Sequence, residues 1–367
     1  MHILLLSCNT GQGHNSAALA IKDAIERRGD SCEMCNALLF LSQAYDKVIS
    51  NGHTFIYNRL PKLFGVGYRF EERHSPNFIR YQMKLGVKKF SSFLKDKHFD
   101  AVISTHSFAS LIVNEYKKKT GSNIISAFVA TDYTCCPGAP ESEADLYFIP
   151  HPLVANEFVK NNIDENKIKP YGIPVANQFV NKIDKLEARK ALGLAENKKI
   201  VLIACGSMGC GPIAKIAALV SNKLANELII VACGNNHKLF ERITRLEHSN
   251  ILPLSYTNKM HLYLSAADVF LSKAGGLSTS ECIHLGVPLL YIDAIPGCET
   301  RNLEFMTQHG YTDIALSPID AANKTVELLN NPQKAQSIIS ECAAAIKKDP
   351  AEAICAAVED EIKKRKV

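Results

Sequence analysis

A run of four apolar residues, Ile3-Leu4-Leu5-Leu6, passes at once into Ser7-Cys8-Asn9-Thr10-Gly11-Gln12-Gly13-His14-Asn15-Ser16-Ala17-Ala18. A short, wholly apolar run reads as a buried strand. The glycine turn and Ala-rich segment behind it complete the first strand–turn–helix unit of a doubly wound sheet. Such sheets bind ligands at the carboxyl ends of their strands, where this turn lies. Glycines let a backbone approach an anion or a sugar, and His14 adds a side chain that exchanges protons near neutral pH. The dinucleotide fingerprint is incomplete. Ser16 takes the place of its third glycine, and Glu33 lies inside Cys32-Glu33-Met34-Cys35 rather than ending a strand. No Gly-Lys-Ser/Thr follows, so this is not a Walker loop. On pattern alone, a plain turn carrying a surface histidine remains the alternative.

The same architecture recurs along the chain. Ala101 to Thr105, Ile124 to Ala130 and Leu146 to Ile149 read as strands, with a helix from about Phe108 to Lys118. The Pro- and Gly-rich segment Lys169 to Asn177 reads as a connection between domains. A second series starts at Lys199 to Cys205, a strand that ends in Gly206-Ser207-Met208-Gly209-Cys210-Gly211. Leu228 to Cys233, Ile251 to Leu254, Val269 to Ser272 and Val287 to Ile292 continue it, and the tail from about Pro332 is helical. Strands alternating with helices predict an α/β fold with two parallel sheets. The expected domains are 1–170, 171–335 and a C-terminal helix 336–367 that packs back toward the first lobe. Two such lobes suggest a cleft between them.

At 367 residues the chain is long enough for two cores. No apolar run reaches the roughly 18 residues of a membrane-spanning helix, and Met1-His2-Ile3 lacks the basic start of an export signal. A cytoplasmic protein is expected, and its twelve cysteines are expected to be reduced thiols. Cys32 and Cys35 form one pair without a second at zinc-finger spacing, so no metal is expected. The net charge of +5 is uneven: eleven Lys and Arg face four Asp and Glu between Gln43 and His98. Phe55, Tyr57, Leu60, Leu63, Phe64, Tyr68 and Phe70 interleave with them. That mixture suits an anionic membrane surface, or else a solvated helix pair. No nucleic-acid module surrounds it, so nucleic acid is not an expected partner.

The most specific segment for chemistry is Ser272-Lys273-Ala274-Gly275-Gly276-Leu277-Ser278-Thr279-Ser280-Glu281. It joins a strand to a helix, and its amides and hydroxyls make an anion site of the helix N-terminus. Glu281 would repel a phosphate there, but suits the neutral diol of a ribose. The competing reading is a capping box, with Ser278 as N-cap and Glu281 three residues on. Glu299 and Asn302 open a further helix at a strand's carboxyl end and suit sugar hydroxyls. In the first half, His106 and Asp132 follow strands as His14 does, which places several polar groups on one rim; Asp132 there suits orienting a base or a substrate hydroxyl, and equally suits a helix N-cap.

Six ordered segments then carry a resemblance: Gly11 to Ala18, Ile103 to Ser110, Thr131 to Tyr133, Tyr171 to Pro174, Gly275 to Glu281 and Pro296 to Asn302. The chain resembles the monogalactosyldiacylglycerol synthase and processive diacylglycerol glucosyltransferase family, relatives of the peptidoglycan N-acetylglucosaminyltransferase. The resemblance spans nearly the whole chain. It implies a GT-B fold and inverting, metal-independent transfer of a hexose from a UDP-sugar to a membrane lipid, foremost diacylglycerol. The UDP-hexose is a substrate, and no cofactor is implied. It implies His14 as the catalytic base, with Asp132 beside it and Gly11, Gly13 and His106 on the acceptor side. On the donor side it implies Gly206, Ser207, Met208, Gly234, Asn235, Tyr256, Lys273, Gly275, Gly276, Leu277, Ser278, Ser280, Glu281, Glu299 and Asn302. The basic aromatic stretch after Gln43 matches the family's membrane-docking region, which implies a peripheral protein on the inner face of the membrane. Cys136 stands where many members carry a histidine, and the chain has no tryptophan, so acceptor or membrane contacts are expected to differ there. Other readings of the same features are N-acetylglucosamine transfer to a polyprenyl-linked precursor, UDP-sugar epimerisation, and a non-catalytic UDP-sugar-binding protein.

Overall fold

The computed structural model describes residues 1–9, 12–42, 77–206, 209 and 211–366, with backbone alone at 77–79, 334, 335 and 338. The chain divides into two compact units. The first is Met1–Asn177 with Pro296–Cys298 and Ala345–Val367, and the second is Gln178–Ile295 with Glu299–Ala344.

In the first unit the chain runs β1 (His2–Ser7), α1 (Gln12–Arg27), β2 (Ser31–Asn36), α2 (Asn77–Leu94), β3 (Ala101–Ser104), α3 (Ser107–Thr120), β4 (Ile125–Val129), β5 (Leu146–Phe148), α4 (Ala155–Lys160) and β6 (Ile168–Lys169). The sheet order is β2-β1-β3-β4-β5-β6, and every pairing is parallel. A central parallel strand must be apolar on both faces, and β1 is. Ile3 and Leu5 join Ile21 and Ile25 of α1, while Leu4 and Leu6 join Met83, Phe90 and Ile112 on the opposite face. α1 lies close because its inner stripe is small: Ala17, Ala18, Ala20 and Ala24 are buried beside Ile21 and Ile25. Gly29, with φ of +80°, ends it, and the Asp30 amide returns to the Ile25 carbonyl. Cys32 and Cys35 of β2 pack into cores on opposite faces of the sheet, as residues three apart on a strand must, so they cannot share a metal. All cysteines among the described residues are free thiols.

The second unit repeats the plan with α5 (Lys185–Leu192), β7 (Ile200–Ala204), α6 (Ile213–Lys223), β8 (Leu228–Ala232), α7 (His237–Thr244), β9 (Ile251–Leu254), α8 (Met260–Ala266), β10 (Val269–Lys273), α9 (Gly276–Leu285), β11 (Leu289–Asp293), α10 (Cys298–Gln308), β12 (Asp313–Ile314), α11 (Pro318–Asn330) and α12 (Pro332–Ala344). Its sheet order is β12-β11-β10-β7-β8-β9, again parallel throughout. Val201 and Ile203 of β7, Ile229 and Val231 of β8, and Leu271 of β10 form its core with Ile213, Ile216 and Val220 of α6.

The helical tail is two helices, not one. α12 ends at Ala344 within the second unit, and α13 (Pro350–Lys366) belongs to the first. Pro350 opens α13, where a proline's missing N–H costs nothing. Ile354, Cys355, Val358 and Ile362 cover the same core as Ile3, Ile21 and Ile25. Arg28 pairs with Glu352 and Glu359 of α13, and Arg365 Nη2 lies 2.8 Å from Asp145 Oδ1. Among the described residues no helix is long and apolar enough to cross a membrane.

Candidate active site

Strand order places a crevice in each unit. In the first sheet the chain leaves β1 toward β2 on one side and β3 toward β4 on the other. In the second it leaves β7 toward β8 and β10 toward β11. The carboxyl ends of β1 and β3, and of β7 and β10, are therefore the two switch points where such sheets open to ligands.

At the first switch point, His14 sits in the opening turn of α1, half-buried. Its Nδ1 lies 3.0 Å from the carbonyl oxygen of Thr105, at the end of β3. The Thr105 hydroxyl donates back to the His14 carbonyl at 3.1 Å. Thr131 Oγ1, from the end of β4, stands 2.8 Å from the same Nδ1. A carbonyl can only accept, so its bond assigns the proton to Nδ1 and leaves the lone pair on Nε2. Burial pushes the imidazole below its ordinary value, against the opposing pull of the Asp132 carboxylate and the Thr105 carbonyl. A neutral ring with an open lone pair is the state a general base needs near neutral pH. The His106 ring packs edge-on to His14 at 4.6 Å between centroids, while its Nδ1 accepts the Phe108 amide and caps α3.

The loop after β4 brings further groups to this rim. Glu157 of α4 accepts from the Thr134 hydroxyl at 2.7 Å and the Cys135 amide at 3.0 Å, which ties the loop down. Burial and the nearby Asp132 charge push the Cys136 thiol up to about 12, so it stays neutral. Cys136 is thus a neutral group beside Asp132 on this rim.

At the second switch point, β10 ends in Lys273 and the chain turns through Ala274 and Gly275 into α9. The N-cap is Gly275 and the helix starts at Gly276, so the capping-box alternative with Ser278 as N-cap does not hold. Gly276, Leu277 and Ser278 carry the first amides of the helix, which have no carbonyl a turn behind them and face the positive end of the dipole. Two buried side chains hold the turn's own carbonyls. Asn302 donates to Ala274 at 3.0 Å, and the Thr279 hydroxyl donates to Gly275 at 2.8 Å while taking the Tyr291 hydroxyl at 2.7 Å. Ser280 is buried, and its hydroxyl bonds the Gly276 carbonyl of its own helix at 3.0 Å.

Lys273 forms an ion pair with Glu299, whose other oxygen takes the Ile295 amide at 3.1 Å. The same lysine crosses the turn after β7: a Cβ on Gly206, which has φ of +68°, would come within 3.1 Å of Lys273 Cε. Lys273 therefore lies against both glycine turns, where an anion would bind. Glu281, partly buried in α9, has its carboxyl pushed up to about 8 by burial. A protonated or weakly acidic carboxyl is compatible with a neutral diol and does not oppose a nearby anion. Gly234 turns at φ +58° after β8, Asn235 beside it is exposed, and Tyr256 after β9 is 66 % exposed. Gly11, Ser207, Met208 and the basic aromatic stretch from Gln43 through Pro76 lie outside the described residues. Sequence reasoning missed Thr105, Thr131, Thr279 and Tyr291. Thr105, Thr131 and Thr279 lie inside the ordered segments quoted above, whereas Tyr291 sits in the middle of β11 and carried no signal.

Residues 14–175 match the monogalactosyldiacylglycerol (MGDG) synthase family profile, and residues 200–336 match the glycosyltransferase family 28 C-terminal domain. Among solved structures, MurG of Acinetobacter baumannii superposes with a TM-score of 0.63 at 13 % identity, covering 98 % of this chain and 99 % of that one. The UDP-GlcNAc 2-epimerase of Neisseria meningitidis superposes with a TM-score of 0.64 at 14 % identity, covering 98 % and 100 %. These likenesses show the GT-B fold, which transferases share with epimerases, so the fold alone does not select the reaction. The sequence relatives select it, and with them the two switch-point sites belong to a glycosyltransferase. The processive diacylglycerol beta-glucosyltransferase of Bacillus pumilus is 25 % identical over 92 % of this chain and 88 % of its own length. A probable chloroplastic monogalactosyldiacylglycerol synthase of Nicotiana tabacum is 26 % identical over 93 % and 67 %. The chain thus carries a monogalactosyldiacylglycerol synthase domain followed by a glycosyltransferase family 28 C-terminal domain, and it is similar along most of its length to monogalactosyldiacylglycerol synthases and processive diacylglycerol glucosyltransferases.

Proposed function

We propose that the protein moves a hexose from a UDP-sugar to diacylglycerol in a membrane, with inversion at the anomeric carbon and without a metal ion. The observation that carries this is His14, whose Nδ1 is committed to the Thr105 carbonyl at 3.0 Å. Its Nε2 is then the base that takes the proton of the attacking acceptor hydroxyl. Asp132 stabilises the imidazolium that forms. A direct, single displacement of this kind inverts the anomeric centre. In the second unit the α9 amides and Lys273 stabilise the departing diphosphate, the part a divalent metal plays in other transferases. Glu281 takes the ribose hydroxyls, and Glu299 the sugar hydroxyls once Lys273 turns to the diphosphate. The first unit is the acceptor side, peripherally bound to an anionic inner membrane face, and the second is the donor side.

The test is incubation of the purified protein with UDP-glucose, UDP-galactose or UDP-N-acetylglucosamine and vesicles containing diacylglycerol, in the presence and absence of EDTA, followed by mass spectrometry of the lipids. A hexosylated diacylglycerol formed equally with and without EDTA is expected. No glycolipid from any donor overturns the proposal. A product formed only from UDP-N-acetylglucosamine and an added polyprenyl-linked acceptor replaces the acceptor and sugar named here.

A further inference from the structure

We infer that Thr131 is a positioning residue that helps hold the protonated ring nitrogen of His14 and strengthens the other as a base. The inference rests on the reading of His14 as that base. Thr131 Oγ1 and the Thr105 carbonyl oxygen stand 2.8 Å and 3.0 Å from one nitrogen, His14 Nδ1. The carbonyl cannot donate, so the Nδ1 proton points between two oxygens in a three-centre bond, and Thr131 accepts. Both threonines are buried, Thr105 at 1 % and Thr131 at 8 % exposure, which disfavours replacement of either oxygen by water.

The consequence is electrostatic. A neutral imidazole is a modest donor, and the imidazolium formed when Nε2 takes a proton is a strong one. Both oxygens therefore favour the charged form and raise the basicity that burial lowers. Thr131 comes from the loop that Glu157 ties down through Thr134 and Cys135, so its oxygen is set by a different element from Thr105. The titratable groups facing His14 among the described residues are His106 from the end of β3 and Asp132 from the end of β4. Cys136 beyond Asp132 stays a neutral thiol.

The experiment compares the pH dependence of kcat/KM for the wild type, Thr131→Val and Thr131→Ser, using UDP-hexose and diacylglycerol vesicles. It also measures the ring-nitrogen NMR shifts of His14 in each. In Thr131→Val the acid limb is expected to move down by roughly half a unit or more, and kcat to fall about tenfold. Thr131→Ser keeps the hydroxyl and is expected to retain both values. The wild-type shifts are expected to report a proton on Nδ1. An unmoved limb in Thr131→Val overturns the inference. A limb moved upward, or a proton found on Nε2, also overturns it, because the hydroxyl then donates to an unprotonated Nδ1. Should the wild type show no acid limb at all, the base reading fails instead, and the NMR shifts still decide which way the Thr131 bond runs.

Discussion

In the proposed reaction His14 is a base through its neighbours rather than through its own chemistry. The Thr105 carbonyl selects the tautomer, burial keeps the ring neutral, and Asp132 waits beside it for the positive charge. His14→Ala is therefore expected to lower kcat by about 10²–10⁴-fold while UDP affinity, measured by calorimetry, stays unchanged. Glu281 makes a second prediction through linkage. Its carboxyl is raised from the ordinary 4.5 to about 8 by burial. Between those values the folded chain holds a proton that the unfolded chain releases, so stability falls as pH rises across that window. Glu281→Gln has no such proton, and thermal melts from pH 5 to 9 are expected to show it gaining on the wild type toward the alkaline end. The sequence put His14 at a strand's carboxyl end next to glycines, and that was legible. Its partners were not, because Thr105 and Thr131 lie 91 and 117 residues away, a distance only the folded sheet closes.

Among the elements, the strands that are buried on both faces could be read almost to the residue. β7 and β8 are continuous apolar runs, as are Ile3 to Leu6 of β1 and Val269 to Leu271 of β10, and no amphipathic helix writes that pattern. β6 and β12 have two residues each, too few for any periodicity, and they escaped. The start of α9 was ambiguous because Ser278 and Glu281 satisfy the capping-box spacing. The structure puts the cap at Gly275, with φ −81° and ψ 132°, a conformation that any residue can adopt. A Cβ there would meet only Lys273 Nζ at 3.8 Å and Glu299 Oε1 at 3.9 Å, which is ordinary contact. Glycine at this cap is thus not required by the backbone, and under the proposed function its use is to let the diphosphate reach the amides. Gly275→Ala is expected to cost less than about 1 kcal/mol of stability. UDP affinity is expected to fall about tenfold or more, roughly 1.4 kcal/mol, as read by denaturation and calorimetry side by side.

At the scale of the molecule, the two units repeat one plan, each with its own core and its own switch point. The second unit is nearly contiguous in sequence. The first is not, because α13 completes its core from the far end of the chain. Truncation before Pro350 would uncover Ile21, Ile25 and Ile3 and strand Arg28 without Glu352 and Glu359. Such a chain is expected to lose the cooperative melting of the first unit while UDP binding, which the proposed function places in the second, persists. The two-lobed pattern was legible in the repeated strand–glycine–helix signature, but the break between α12 and α13 was obscured by one long helical pattern. The returning helix also has a consequence for biosynthesis. On the ribosome the apolar side of α1 emerges roughly 300 residues before its cover. At about 5–20 residues per second it waits for tens of seconds. The second unit can close during that wait, so the lobe made first finishes last, and a nascent-chain chaperone has its longest opportunity at Ile21 and Ile25.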